Sequence, residues 1–154
     1  MRSVLESAVR EFRESEHIKN ILNGEWTTLC DETGRQLPGI RGRVGTSAMT
    51  FTGYEIGVDL IEMSPGSAFP LHTHMGDHIL LVIQGRGCVA VDGTDHKVAE
   101  GDTIFIAAEY PHGVKTDPTY SGVFTFAAFG HPHMALESRD RMKLVESAAN
   151  DDAA

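Results

Sequence analysis

Cysteine is scarce in this chain. Cys30 and Cys88 are its only two among 154 residues, too few for a disulfide framework and in no CxxC pattern that would suggest a zinc ribbon. Cations are outnumbered as well, with 13 Lys and Arg against 22 Asp and Glu and a formal charge of −9. No excess of positive charge is left to neutralise phosphates, so nucleic acid and anionic membranes are excluded as expected partners. No apolar run approaches the roughly 20 residues of a membrane span, and the opening MRSVLESAVREFRESEH is charged throughout, without the apolar centre of a signal peptide. GxSxG, Walker and dinucleotide fingerprints are missing, as are internal repeats and low-complexity tracts. The expectation is a cytoplasmic protein with free thiols and, at this length, one domain.

Glycine and β-branched residues are plentiful, and their order sets the expected fold. Residues 3–22 carry Val4, Leu5, Ala8, Val9, Phe12, Ile18, Ile21 and Leu22 near a 3.6-residue period, which predicts an amphipathic helix. Ser3 and Glu6 form a capping box and Asn23-Gly24 a stop. Residues 25–50, broken by Gly34, Pro38-Gly39, Gly42 and Gly45, read as irregular with one or two short strands. From 51 to 129 the pattern is β, with strands expected at 54–63, 78–84, 87–91, 96–98, 103–106 and 122–129, separated by turn signals such as Asp92-Gly93. The expected fold class is all-β, a single jelly-roll barrel over 25–130 with an N-terminal α-helix in 1–24 and a polar tail over 131–154. A short helix is expected in that tail over 139–147.

Within the β region the heptapeptide HTHMGDH places His72, His74 and His78 inside seven residues. His72 and His74 share a face of an extended strand, and His78 shares its face with Leu80 and Val82 in the following ILLVI. Imidazoles turned into an apolar interior are costly unless satisfied, and a metal ion satisfies them. HxH alone also occurs among solvated surface histidines, but a solvated loop does not fit the apolar residues that follow.

The spacing goes further. Gly66, five residues, His72-x-His74, three residues, His78, six residues and Gly85 follow one another, and Gly101-Asp102 opens a segment that ends at His112. This arrangement resembles the cupin superfamily, whose first motif is G-x5-H-x-H-x3/4-E-x6-G and whose second is G-x5-P-x-G-x2-H-x3-N. The first motif (66–85) matches in every spacing, with His78 in place of glutamate. The second (101–116) keeps Gly101 and His112 but has Ala107, Glu109 and Thr116 where the motif has proline, glycine and asparagine. The resemblance covers about residues 54–129. It implies that the two motifs lie on neighbouring strands of a small β-barrel and that His72, His74, His78 and His112 converge on one divalent metal ion. Iron, manganese, nickel, copper and zinc all accept imidazole. The implied activity is that of a metal-dependent, dioxygenase-type oxidoreductase acting on a small metal-chelating organic anion. The alternatives are a redox-neutral isomerase or lyase and a non-catalytic small-molecule-binding protein.

Other residues are read more modestly. Leu80, Tyr110 and Phe126 are expected around the substrate pocket. Glu62 is weighed as an inward general base against a rim position, His131 and His133 read as a surface turn, and Cys88 reads as buried core beside Val89 and Val91. The amphipathic helix and the exposed barrel faces suggest a homodimer.

Overall fold

The computed structural model describes residues 11–145. The helix expected over 3–22 is, within them, a single turn, α1 (Glu14–His17); Ile18 is extended and Ile21–Asn23 forms a 3-10 turn. Residues 3–10 of that expectation lie outside the described residues. Phe12, Ile18 and Leu22 are exposed, while Ile21 approaches the barrel, its Cδ1 lying 3.1 Å from where a Cβ on Gly45 would stand.

Among the described residues eleven strands follow: β1 (Thr27–Cys30), β2 (Gln36–Met49), β3 (Glu55–Met63), β4 (His72–Thr73), β5 (Asp77–Gln84), β6 (Arg86–Val91), β7 (Thr94–Ala99), β8 (Thr103–Ile106), β9 (His112–Thr116), β10 (Phe124–His131) and β11 (Lys143–Leu144). They form a six-stranded sheet in the order β1-β2-β3-β10-β5-β8 and a five-stranded sheet in the order β11-β4-β9-β6-β7. Every pairing is antiparallel, and the two inner faces enclose the core, in the jelly-roll manner.

The alternation of side chains decides what enters that core. On β5, Leu80 and Val82 are buried while Ile79 and Ile83 are exposed, which puts His78 on the inward face. On β3, Ile61 and Met63 are fully buried, and Asp59 has their parity and is 3% exposed. On β10, Phe124 and Phe126 turn inward and Phe129 outward. Cys88 is half-buried rather than core: β6 turns Val89 inward, and Cys88 occupies the opposite face, where burial raises its thiol pKa. Both cysteines are free.

Two regions depart from the sequence expectation. Residues 36–49 form one long strand although they contain Pro38, Gly39, Gly42 and Gly45. At Gly42 a Cβ would lie 2.7 Å from the Leu136 side chain, so this glycine admits close packing instead of breaking the strand. In the tail, the helix expected over 139–147 is a 3-10 turn, Arg139–Arg141, followed by β11, which pairs Leu144 with His72 and Lys143 with Thr73. Residues 146 and 147 of that expectation lie outside the described residues.

Candidate metal centre

β4 and β9 pair with His72 opposite His112, so one ladder contact joins the two histidine motifs. A further bond, from the Glu109 N–H to the His74 carbonyl (2.8 Å), and another from the Ala108 N–H to Asp77 Oδ1 (2.8 Å), tie the loop before β9 to the HTHMGDH segment. His72, His74 and His112 are 5%, 7% and 3% exposed, and one potential ligand atom from each lies within 4.8 Å of the others.

The tautomers follow from their partners. The Nδ1 of His72 bonds to the Pro70 carbonyl (2.6 Å), that of His74 to the Gly76 carbonyl (2.8 Å) and that of His112 to the Tyr110 carbonyl (2.8 Å). A carbonyl only accepts, so each Nδ1 is an N–H donor and each Nε2 of a neutral ring is left with a bare lone pair. The Nε2 atoms of His74 and His112 nevertheless face each other at 3.1 Å. Two lone pairs repel at that distance unless something positive lies between them. Two imidazole nitrogens about 2.1 Å from one ion and at right angles would stand about 3.0 Å apart. The donor set therefore fits a divalent metal, with backbone carbonyls fixing ring orientation from behind.

Burial keeps these rings neutral. Loss of hydration, with the neighbouring His112 adding to it, holds His72 down at about 3 and His74 at about 4. Burial also depresses His112.

His78 is placed differently. Its ring stacks on His74, with centroids 4.0 Å apart and planes 28° apart, and burial, then the charge of His74, lowers its pKa to about 2. Its Nε2 is turned toward its cross-strand partner Gly130, where a Cβ would stand 3.1 Å away. The structure thus gathers three of the four expected ligands and sets the fourth ring against them.

All four rings line one cavity of about 30 Å3, whose apolar wall includes Phe69, Leu80, Val114 and Phe126. Leu80 and Phe126 line this cavity. Tyr110 does not: it is half-exposed, and its hydroxyl donates to Asp92 Oδ2 at 2.6 Å on the outside of the barrel. Glu62 turns outward as well and accepts from Arg41 Nε and Nη2 (2.9 and 2.7 Å).

The sequence reading missed the acid that does face inward. Asp59 Oδ1 accepts from His133 Nε2 (2.9 Å) and its Oδ2 accepts from Arg141 Nη1 (3.2 Å). His133, expected in a surface turn, is buried in this cluster. Asp59, His133 and Arg141 line a second cavity of about 10 Å3 together with His74 and His78, enough for about one water. The parity of Asp59 with Ile61 and Met63 is a signal that finds it. Nothing in the polar tail marks Arg141.

The departures from the second cupin motif have local explanations. Thr116 holds the place of asparagine and still ties the end of β9 to the turn at 64–67, accepting from the Gly66 N–H (3.0 Å) and donating to the Ser67 carbonyl (3.2 Å). Glu109 holds the place of glycine at φ 61°, where a side chain costs roughly 1–2 kcal/mol. Glu109→Gly is expected to stabilise the fold by about 0.5–1 kcal/mol, the gain being trimmed by glycine's greater freedom when unfolded. A higher urea midpoint at constant m-value checks it; a lower midpoint would mean that the Glu109 side chain contributes contacts of its own.

Comparison with known proteins agrees with this architecture. Residues 59–124 match the cupin domain family. A germin-like protein of Morus alba is 29% identical over 129 residues, 79% of this chain and 54% of its own length; the chain thus spans about half of that relative. A dimethylsulfoniopropionate lyase of Ruegeria pomeroyi is 22% identical over 102 residues, 66% of this chain and 67% of its own. A cupin-2 domain protein of Rhodospirillum rubrum superposes with a TM-score of 0.65 at 20% identity, covering 94% of this chain and 93% of its own. The structural likeness shows the cupin fold, and the match to the cupin domain family lies in residues 59–124.

Proposed function

We propose that this cupin-fold protein is a metal-dependent enzyme that holds one divalent ion on His72, His74 and His112, with His78 as a fourth ligand, and acts on a small organic anion. The observation that carries the reading is the set of three Nδ1–H to carbonyl bonds, which leaves bare Nε2 lone pairs facing each other at 3.1 Å in His74 and His112. A bound ion would supply Lewis acidity and, if it is redox-active, electrons. The chain's own residues supply the rest. The backbone carbonyls of Pro70, Gly76 and Tyr110 orient the rings. Phe69, Leu80 and Phe126 keep bulk water from the cavity. His133 donates its Nε2–H to Asp59 and lines, with His74 and His78, a cavity of about one water.

The leading reading is dioxygenase-type oxidoreductase chemistry. An all-imidazole ligand set is neutral and leaves a divalent site its full charge, which favours a chelating anion. A redox-neutral isomerase or lyase is the second reading, favoured by the buried His133–Asp59 pair, a ready proton carrier; one similar protein is itself named a lyase. Protein reconstituted with each of the five metals and offered small carboxylates distinguishes them. Oxygen uptake stoichiometric with turnover supports the first reading, and turnover without uptake supports the second. Tight binding of an anion without any turnover would instead indicate a non-catalytic binding protein.

The remaining expectations stand as proposals too. With a charge of −9, small molecules rather than nucleic acid or membrane are the partners. Two free thiols fit the cytoplasm, and no helix among the described residues is long and apolar enough to cross a membrane. A homodimer is supported by an outward row across four strands, Val58, Phe129, Ile79 and Phe105, each the ladder neighbour of the next. The last three are 41%, 48% and 66% exposed, an apolar run wider than lone surface residues explain. Sedimentation should show wild type as a dimer and Phe105→Lys as a monomer; monomeric wild type would remove the proposal.

A further inference from the structure

Arg141 is a buried cation with too few partners. It is 9% exposed, and among the described residues its only side-chain partner is Asp59, reached through one nitrogen, Nη1, at 3.2 Å. A guanidinium that serves only to pair a carboxylate usually does so with two parallel N–H bonds. Here the second carboxylate oxygen is taken by His133 at 2.9 Å, so the fork is left half used. Arg141 lines two cavities, and those are the two that contain the histidines. Holding a charged group dry and half-paired is expensive, and the arrangement is economical only if a second anion completes it.

Resting on the metal reading above, we propose that Arg141 is the carboxylate-binding residue of the substrate site. The substrate is then a small carboxylate anion, held at one end by the free edge of the Arg141 guanidinium while its other donor atoms meet the ion on the histidines. Asp59, held in turn by His133 through its other oxygen, positions Arg141 through Nη1. The cavity of about 30 Å3 has room for about two or three water-sized groups, a water taking roughly 10–15 Å3 by this measure, so the anion is small. Arg141 reaches the barrel because β11 pairs with β4 two residues later, so the tail brings an anion-selective group to a site whose barrel-borne ligands are all neutral.

The test uses cobalt(II)-loaded protein titrated with oxalate by calorimetry, and metal-free protein heated with and without formate, in wild type, Arg141→Lys and Arg141→Met. Cobalt stoichiometry is measured in each. Cobalt should remain at one per chain throughout. Oxalate affinity should fall at least tenfold in Arg141→Met and by an intermediate factor in Arg141→Lys, which keeps the charge but loses the planar fork. Formate should raise the melting temperature of wild type and not of Arg141→Met. Equal oxalate affinity in all three proteins, with cobalt bound, would overturn the role of Arg141 while leaving the metal centre intact. A wild type that takes up no cobalt would overturn the metal centre, and the formate comparison would then decide Arg141 alone: equal stabilisation of both proteins rejects it. If Arg141→Met does not fold, Arg141→Lys decides, with unchanged oxalate and formate binding as the rejecting result.

Discussion

His74→Ala combined with His112→Ala is expected to abolish metal binding, leaving less than a tenth of an ion per chain where wild type holds one. Zinc bound at a protein site is worth on the order of 10–16 kcal/mol; shared among three or four ligands, that is about 3 kcal/mol each, or more than 100-fold per ring. Two losses therefore take affinity well below useful concentrations. Native mass spectrometry after reconstitution at neutral pH reads the result, and a double variant with a full ion would end the metal reading. His78→Ala should weaken binding less, because in this arrangement its ring must first leave the face of His74. Acid should act on the same groups. Burial holds His72 and His74 at about 3 and about 4, below the roughly 6.5 of an unfolded imidazole. The stabilising effect of keeping these rings neutral is complete above about pH 6.5 and is lost as pH falls toward their folded values, because the unfolded chain takes up protons first. At pH 5 each ring should cost the metal-free protein about 2 kcal/mol. Bound metal competes with those same protons, so its release should be cooperative in acid. A metal-free urea midpoint unchanged from pH 7 to pH 5 would contradict the burial of these rings.

Asp59→Ala should be the most damaging change away from the metal ligands. Asp59 is the partner of both Arg141 and His133, so removing it strands a buried guanidinium. Breaking one half of a buried ion pair costs about 3–5 kcal/mol, a large share of a domain's total stability of about 5–15 kcal/mol. Asp59→Asn keeps an oxygen for one partner and should lose less. Chemical denaturation of the three proteins measures both effects. Metal stoichiometry in the folded fraction should not change, because Asp59 touches none of the three clustered histidine nitrogens. A cost below about 1 kcal/mol for Asp59→Ala would mean that Arg141 finds water when Asp59 is gone.

The sequence was legible where chemistry is local. Strand parity alone turned His78, Leu80 and Val82 inward, because side chains alternate whatever the strand pairs with. The resemblance of the motif spacing to that of cupins implied that His72, His74 and His112 converge, and one potential ligand atom of each lies within 4.8 Å of the others. The same parity places Asp59 inward with Ile61 and Met63. Other features were not legible, for reasons that are tertiary. Gly42 looks like a breaker and is a packing contact, decided by Leu136 from 94 positions further along the chain. Glu62 and Tyr110 face outward because Arg41 and Asp92 wait there. Arg141 lies in a tail whose composition reads as solvated; it becomes a buried cation only because two residues of β11 find the free edge of β4. A sequence determines what each residue can offer, in lone pairs, charge and apolar area. Only the fold decides which distant residue accepts the offer, because desolvation, which makes a lone pair or a cation seek a partner, exists only once the barrel has closed.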